Sequence, residues 1–361
     1  MKTEKEIESK KKICIVHVGG TIVSKNETGA GKVPAYKISE VIEKCLSYKQ
    51  KKAIDAEVSY KVKAPFGKDG KGIDSSELKF KHVKEIADII KKNYNKYDGF
   101  VITHGTDTMA YTSSLLSFML LNADKPIIIT GSQKAPDDKG TDVPKNLYDT
   151  FKAATSENSG VYIVFDGDVI KGSRAKKISS TKLKAFGSVN EKAITIDDFV
   201  NDPYKELLKK PKFSTELSEK VGVFYLTPST SVEDLAFFAK GKDGIIIQAY
   251  GLGGAPSDIN DYIKEELVGT LGKYVVFKTQ CEDGLTDLTE YEVGVKASKG
   301  GVIAAADMSL EATYAKLSHI LGNYTDKETI KKMMYTNLSG EMNPQGIASY
   351  LEKVESQSKK V

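Results

Sequence analysis

"FVITHGTDTMAYTSSLLSFML", residues 100–120, decides how the chain is read. Phe100 to Ile102 form an apolar run that stops abruptly at Thr103. A knot of small polar groups follows, His104, Gly105, Thr106, Asp107 and Thr108, and then a helical pattern begins. A strand that feeds a helix belongs to an α/β sheet, and in open sheets of that kind ligands bind beyond the carboxyl ends of the strands. The stretch therefore asks why a buried strand should end in hydroxyls and a carboxylate.

The same pattern recurs along the chain. Short β-rich apolar runs stand at 13–18, 126–132 and 160–165, and again at 221–226, 244–250, 274–279 and 301–307. Several are apolar throughout, as strands covered on both faces are. Between them lie helical patterns. In 79–97, Val83, Ile86, Ile90 and Tyr94 share one face with Lys and Glu opposite, and further helices are predicted at 108–121, 145–156, 231–240, 258–270, 309–321 and 326–337. Strand alternating with helix predicts an α/β fold with a largely parallel sheet and helices on both sides.

With 361 residues the chain is long for a single core, so two domains are expected. The stretch 203–220, "PYKELLKKPKFSTELSEK", is polar, has no strong periodicity and contains Pro203 and Pro211. It sets the expected division: a domain over 1–205, a linker over 206–220 and a second domain over 221–361. Composition is that of an ordinary globular protein, 40% hydrophobic and 28% charged. No apolar run reaches the length of a membrane span. The start, "MKTEKEIESKKK", lacks the apolar core of a signal peptide, which predicts a cytoplasmic location and no membrane partner. Three cysteines without a CxxC pair argue against a disulfide scaffold or structural zinc, and four scattered histidines show no HExxH spacing. The reading is no metal and no cofactor. The net charge is +4, but 53 basic residues interleave with 49 acidic ones, which predicts no nucleic-acid partner.

Three strand ends carry groups capable of chemistry: "HVGGTIVSK" around Thr21, "THGTDT" around Thr106, and "TGSQKAPDD" after the strand at 126–129. Two glycines before Thr21 allow a sharp turn that leaves its hydroxyl accessible. "GAGK" at 29–32 is not a phosphate loop, because Asn26 and Val33 stand where Gly and Ser/Thr are required. "GLGGAP" at 251–256 matches a dinucleotide fingerprint only partly, with Pro256 at its third glycine. Local pattern also offers bland alternatives. Thr106 or Asp107 would cap the helix starting near Thr108, and Ser75 or Ser76 the helix that follows them. Lys177 would be a solvated lysine. Because two unusual knots end two apolar strands, function is the better reading for Thr21 and Thr106.

"GGTI" followed some eighty residues later by "HGTDTM" resembles the asparaginase family, the kind with a threonine nucleophile. The likeness extends through "DKPIIITGSQ" (124–133), "GSRAKK" (172–177), "YGLGGAP" (250–256), "TQC" (279–281), "AADMSLEATYAKL" (305–317) and "NLSGEMNP" (337–344), and so covers nearly the whole chain. It is most similar to the cytoplasmic type I branch. The resemblance implies a larger N-terminal α/β domain with a mixed, mostly parallel sheet and a smaller C-terminal α/β domain with a parallel sheet. It also implies a homodimer or homotetramer and hydrolysis of L-asparagine to L-aspartate and ammonia. Carried onto this sequence, Thr21 is the nucleophile, and Thr106 the second threonine, paired with Lys177 and Asp107. Asp107 also binds the substrate α-ammonium, while Asp74 and Ser75 hold the α-carboxylate end.

The chain departs from the family pattern in two places. The loop after the first motif usually carries a tyrosine in a "G-Y-x-P" setting, and here "GKVP" (31–34) puts Lys32 at that position. Either Tyr36 takes its part, or Thr106 and Lys177 carry more of the activation. Some type I enzymes are controlled by a second asparagine held by segments matching 175–177 and 248–281. Cys281 is retained, but Gln248 stands in place of an arginine and Lys176 in place of a threonine, so that pattern is broken. A neighbouring reading is the asparaginase-like component of a tRNA-dependent amidotransferase. That component carries an extra N-terminal barrel, whereas about a dozen charged residues precede the first strand here. A non-catalytic amino-acid sensor is a third reading, which the presence of Thr21, Thr106, Asp107 and Lys177 disfavours.

Overall fold

A computed structural model describes residues 10–203 and 210–358. Residues 206–209 of the expected linker and residues 1–9 of the charged start lie outside the described residues. The chain divides into two compact units, but not at one point. The first holds the residues up to Gly172, with Lys177–Gly187 and Ala193–Phe213; the second takes Ser173–Lys176, Ser188–Lys192 and everything from Ser214 onward.

The first unit is built on a seven-stranded sheet. Its spatial order is Ile194–Thr195, Asp168–Lys171, Gly160–Phe165, Pro126–Thr130, Gly99–Thr103, Lys11–His17, Val58–Lys63. The five strands from Gly160–Phe165 to Val58–Lys63 pair in parallel, and the two remaining strands join antiparallel. From Lys11–His17 the sheet grows first to one side, with Val58–Lys63, and then to the other, with Gly99–Thr103. This reversal is a topological switch point: loops leaving the two neighbouring strands diverge and open a crevice. The apolar runs are continuous because both faces are covered. Ile13, Ile15, Val101, Ile128 and Val164 pack on one face with Val41, Ile42, Val143, Leu147 and Phe151 from helices Ile38–Cys45 and Val143–Thr155. Alternation sends Cys14, Val16, Phe100, Ile102, Ile127 and Ile129 to the other face, where Tyr94 stacks on Phe100 at 5.9 Å.

Helix Met109–Met119, which follows the opening stretch, is buried nearly all round. Its serines are tolerated there because their hydroxyls find backbone carbonyls: Ser113 and Ser114 both donate to the Gly172 carbonyl at 3.0 Å, and Ser117 to Ser113.

The second unit carries a four-stranded parallel sheet in simple order, Val221–Tyr225, Gly244–Ala249, Tyr274–Thr279, Ile303–Ala304. Strand parity again sorts two cores. Ile245, Ile247, Val275 and Phe277 face Leu235, Ile259, Ile263 and Leu267. Ile246, Val276 and Ile303 face Leu317, Ile320, Ile330 and Met334. The helix read at 258–270 is two elements, an α-helix Ser257–Tyr262 and a wider π-helix Ile263–Thr270. Helix Leu310–Asn323 buries a lysine completely. Lys316 donates to the carbonyls of Met334 (2.9 Å) and Thr336 (2.7 Å) and pairs with Glu341 at 2.7 Å, both side chains having no exposed surface. Glu341 in turn accepts the backbone N–H groups of Leu338 and Ser339.

Candidate active site

Three loops meet at the switch point, and backbone bonds fix them before any side chain is considered. Val18 N–H donates to the Thr103 carbonyl at 2.9 Å, and Ile73 N–H to the Val18 carbonyl at 2.8 Å. The loops pack so closely that two positions require glycine. Gly20 has φ +92°, and a Cβ there would lie 2.4 Å from Gly105 Cα. A Cβ on Gly105 would lie 2.6 Å from Ser75 Oγ. Any side chain at either position drives the loops apart, so the glycines bring Thr21, Ser75 and Thr106 to one place.

Thr21 opens the short 3-10 helix Thr21–Val23 and is half-buried. Thr106 is buried at 7% exposure and sits at the centre of a polar network. Lys177 Nζ donates to Thr106 Oγ1 at 2.8 Å and to Asp107 Oδ1 at 2.6 Å. Thr106 Oγ1 donates in turn to Gln133 Oε1 at 3.3 Å. Lys177 thus lies between a hydroxyl oxygen and a carboxylate. Its side chain is largely shielded, whereas Asp107 is 63% exposed and open to a second cation. The capping role that local pattern offers Thr106 and Asp107 is not what the structure shows. Helix Met109–Met119 begins after Thr108, without a side-chain cap, and Thr108 Oγ1 donates instead to the Ser75 carbonyl at 2.8 Å. Lys177, a solvated lysine by local pattern alone, is held in this network.

Asp74 caps the turn Ser75–Glu77, accepting from Ser76 N at 2.8 Å and Ser76 Oγ at 2.7 Å. Its carboxylate thus faces Ser76, and its effect is to fix the turn that presents Ser75, which is 3% exposed. Tyr36 donates its hydroxyl to Asp137 Oδ2 at 2.5 Å, and Lys44 pairs with the same carboxylate. The hydrogen bond to Asp137 raises the phenol above its ordinary value, which disfavours a phenolate at this position. Lys32 meets Asp138 at 3.3 Å and donates to the Gln133 carbonyl at 3.2 Å, while Asn26 donates to Asp138 at 2.7 Å. The residue at the usual tyrosine position therefore fastens the hairpin Ser24–Glu27/Gly31–Pro34 to the loop that carries Gln133.

Each of the first two knots contains a buried histidine. His104 Nδ1 meets the Gly105 carbonyl at 2.6 Å, so that nitrogen carries the proton, and Nε2 accepts from Thr112 Oγ1 at 2.9 Å. His17 Nδ1 lies 2.7 Å from Thr103 Oγ1. Burial pushes both imidazoles down to about 4, against opposing backbone hydrogen bonds. Below about 6.5 the unfolded chain binds protons that the folded one refuses, so stability present above that pH is lost as pH falls toward 4. Each histidine contributes a slope of about 1.4 kcal/mol per pH unit in that window. Thermal unfolding between pH 7 and 4.5 is expected to show a steep fall in Tm, shallower in His104→Asn. An equal fall in the variant would remove His104 from the account.

The site includes residues that sequence reading leaves without a role. Gln133 stands in the quoted "TGSQ", at the end of the strand beside Gly99–Thr103, and that adjacency is the signal that points to it. Asp142 and Asn146 anchor it from helix Val143–Thr155 and its cap, and nothing in local pattern marks them.

The asparaginase N-terminal domain model matches residues 12–202, and the glutaminase/asparaginase C-terminal domain model residues 220–334. An L-asparaginase of Thermococcus kodakarensis is 36% identical over 336 residues, spanning 92% of this chain and 99% of that protein. A glutamyl-tRNA(Gln) amidotransferase polypeptide of Pyrococcus abyssi is 33% identical, spanning 92% of this chain and 77% of that polypeptide. Among solved structures, the thermostable L-asparaginase from T. kodakarensis superposes with a TM-score of 0.82 at 33% identity, covering 92% of this chain and 99% of that one. L-asparaginase I from Vibrio cholerae gives 0.77 at 29% identity, covering 93% and 100%.

Proposed function

The chain belongs to the asparaginase family, and from that membership we propose that it is an amidohydrolase converting L-asparagine to L-aspartate and ammonia through an acyl-enzyme on Thr21. The observation that carries the reading is Lys177 bridging Thr106 and Asp107 at 2.8 and 2.6 Å, beside the loop that bears Thr21.

A threonine hydroxyl is a poor nucleophile near neutral pH and needs a positioned base. In our reading Thr21 Oγ1 attacks the side-chain carbonyl carbon of asparagine. Its proton passes by way of Thr106 to Lys177. Substrate prepares that base. The α-ammonium docks on the exposed Asp107, competing for the charge that keeps the proton on Lys177 and placing a like charge nearby. Both effects favour a neutral amine. Ser75, on the turn fixed by Asp74, takes the α-carboxylate. Backbone N–H groups at Gly20–Thr21 and Thr106 face the developing oxyanion. Ammonia leaves with the proton held by the lysine–threonine pair, and water then releases aspartate. Because Tyr36 is bonded to Asp137, activation of Thr21 rests on Thr106 and Lys177.

Asparagine against glutamine is a difference of one methylene, worth only about 1–3 kcal/mol in a pocket. The test is ammonia release from both amides in parallel. Rapid release from asparagine, with glutamine slower by roughly 10- to 200-fold, is expected. Release from neither refutes the reading. It would favour the amidotransferase alternative, supported by relatives such as the glutamyl-tRNA(Gln) amidotransferase polypeptide of Pyrococcus furiosus at 34% identity over 94% of this chain, or an amino-acid sensor. We place the enzyme in the cytoplasm as a homodimer or homotetramer, following the resemblance of its sequence. Among the described residues no helix is long and apolar enough to cross a membrane.

A further inference from the structure

We propose that Gln133 is a positioning residue that sets the direction of the Thr106 hydroxyl, and that Lys32 steadies it from the hairpin. The inference rests on the asparaginase reading above and adds a determinant of its proton relay.

The argument begins with hydrogen-bond valence. Gln133 Nε2 points at two carbonyls, those of Lys182 at 3.1 Å and Ser179 at 3.5 Å. Carbonyls only accept, so the amide nitrogen must be on that side and Oε1 must face Thr106, 3.3 Å away. A hydroxyl has one proton. With Lys177 donating to Thr106 Oγ1 at 2.8 Å, that proton goes to Gln133 among the described residues. In the resting site Gln133 therefore holds the Thr106 proton and leaves an Oγ1 lone pair to Lys177; when Lys177 acts as the base, the O–H turns about the Cβ–Oγ1 bond from Gln133 to the amine, and the proton of Thr21 follows onto Oγ1. Without it, nothing limits rotation of that hydroxyl about the Cβ–Oγ1 bond, and the relay from Thr21 to Lys177 loses its alignment.

The glutamine is itself rigidly mounted. Its N–H donates to Asp142 Oδ2 at 2.9 Å, and Lys134 N–H donates to the other oxygen at 3.0 Å. Asn146, fully buried, donates to that carboxylate and to the Gly131 carbonyl, each at 3.0 Å. Lys32 also donates to the carbonyl of Gln133 itself. The lysine at the usual tyrosine position thus acts on Thr106 through Gln133, not by touching the reacting atoms.

Gln133→Met keeps length and removes both the acceptor and the donors. It is expected to lower kcat on asparagine roughly 10- to 100-fold, with KM changed less than about twofold, since the side chain bonds Thr106 and the carbonyls of Ser179 and Lys182. Gln133→Glu keeps an oxygen toward Thr106 and adds a charge beside Lys177, which Asp107 already faces. It is expected to retain more kcat than the methionine variant and to move the acid limb of the kcat–pH profile to higher pH. A merely structural role would not separate kcat from KM in the methionine variant, nor spare kcat in the glutamate variant. Folding of both variants is checked by thermal unfolding, and the glutamate variant carries the test if the methionine variant does not fold. Wild-type kcat in the folded variants, or a glutamate variant no more active than the methionine variant, overturns the proposal. Loss of wild-type ammonia release or survival of Thr21→Ala activity overturns the underlying reading instead, so the two failures separate.

Discussion

Alanine at position 21 lowers asparagine hydrolysis by about 10⁴-fold or more, with little change in stability. The size follows from the chemistry. Removing a covalent nucleophile eliminates the acyl-enzyme route altogether, and only substrate orientation and oxyanion donors remain to act on a water molecule. The fold tolerates the change because Thr21 is half-buried at the start of a three-residue 3-10 helix, and truncation removes no core packing. Valine at position 106 is expected to cost less, about 10²–10⁴-fold, since it breaks proton transfer but leaves the nucleophile. The order of the two losses is the informative part. If Thr106→Val were the more damaging, the roles assigned to the two threonines would have to be exchanged. Initial rates on L-asparagine, with thermal unfolding to confirm that both variants fold, make the comparison.

Methionine at position 316 costs about 3–5 kcal/mol of stability. The lysine and Glu341 are both wholly buried, and each is satisfied by backbone groups as well as by its partner. Burial alone lowers the Lys316 amine from its ordinary value, and the adjacent Glu341 carboxylate works the other way. Removing the lysine leaves a carboxylate buried without its counter-charge, which is the expensive outcome. Removing both partners avoids it. Lys316→Met with Glu341→Gln is therefore expected to recover much of the loss, because a neutral amide needs no counter-ion. Urea unfolding midpoints of the three proteins test this. A single variant within about 1 kcal/mol of wild type would contradict it.

What the sequence makes legible follows from burial. Gly99–Thr103 and Pro126–Thr130 are buried at every position, so they read as unbroken apolar runs. Val58–Lys63, "VSYKVK", is the edge of the same sheet, buried mainly through Val58 and otherwise alternating with exposed polar residues, and it escapes the sequence reading. Helices Ile38–Cys45, Tyr48–Glu57 and Pro344–Ser358 escape it too: the middle one buries only Ile54 and gives almost no periodic signal. The site divides in the same way. Thr21 and Thr106 announce themselves because small hydroxyls following an apolar strand are unusual. Lys177 does not, since its surroundings in sequence are those of a surface lysine, and only the family resemblance singles it out. For Gln133 only the place is legible, at the strand end marked by "TGSQ", and its role is not. Its orientation is set by the carbonyls of Ser179 and Lys182, more than forty residues away in sequence, and such partners exist only once the chain has folded.

The most direct test of the central claim is to trap the covalent intermediate. The enzyme is mixed with L-asparagine, quenched in acid during turnover and digested with trypsin, and the peptides are weighed. Residues 13–25 carry Thr21, and residues 97–134 carry Thr106, Lys125 being protected by Pro126. The account predicts a β-aspartyl ester on Thr21 in the first peptide, absent from Thr21→Ala. An ester on Thr106 in the second peptide, or undiminished turnover by Thr21→Ala, would contradict it.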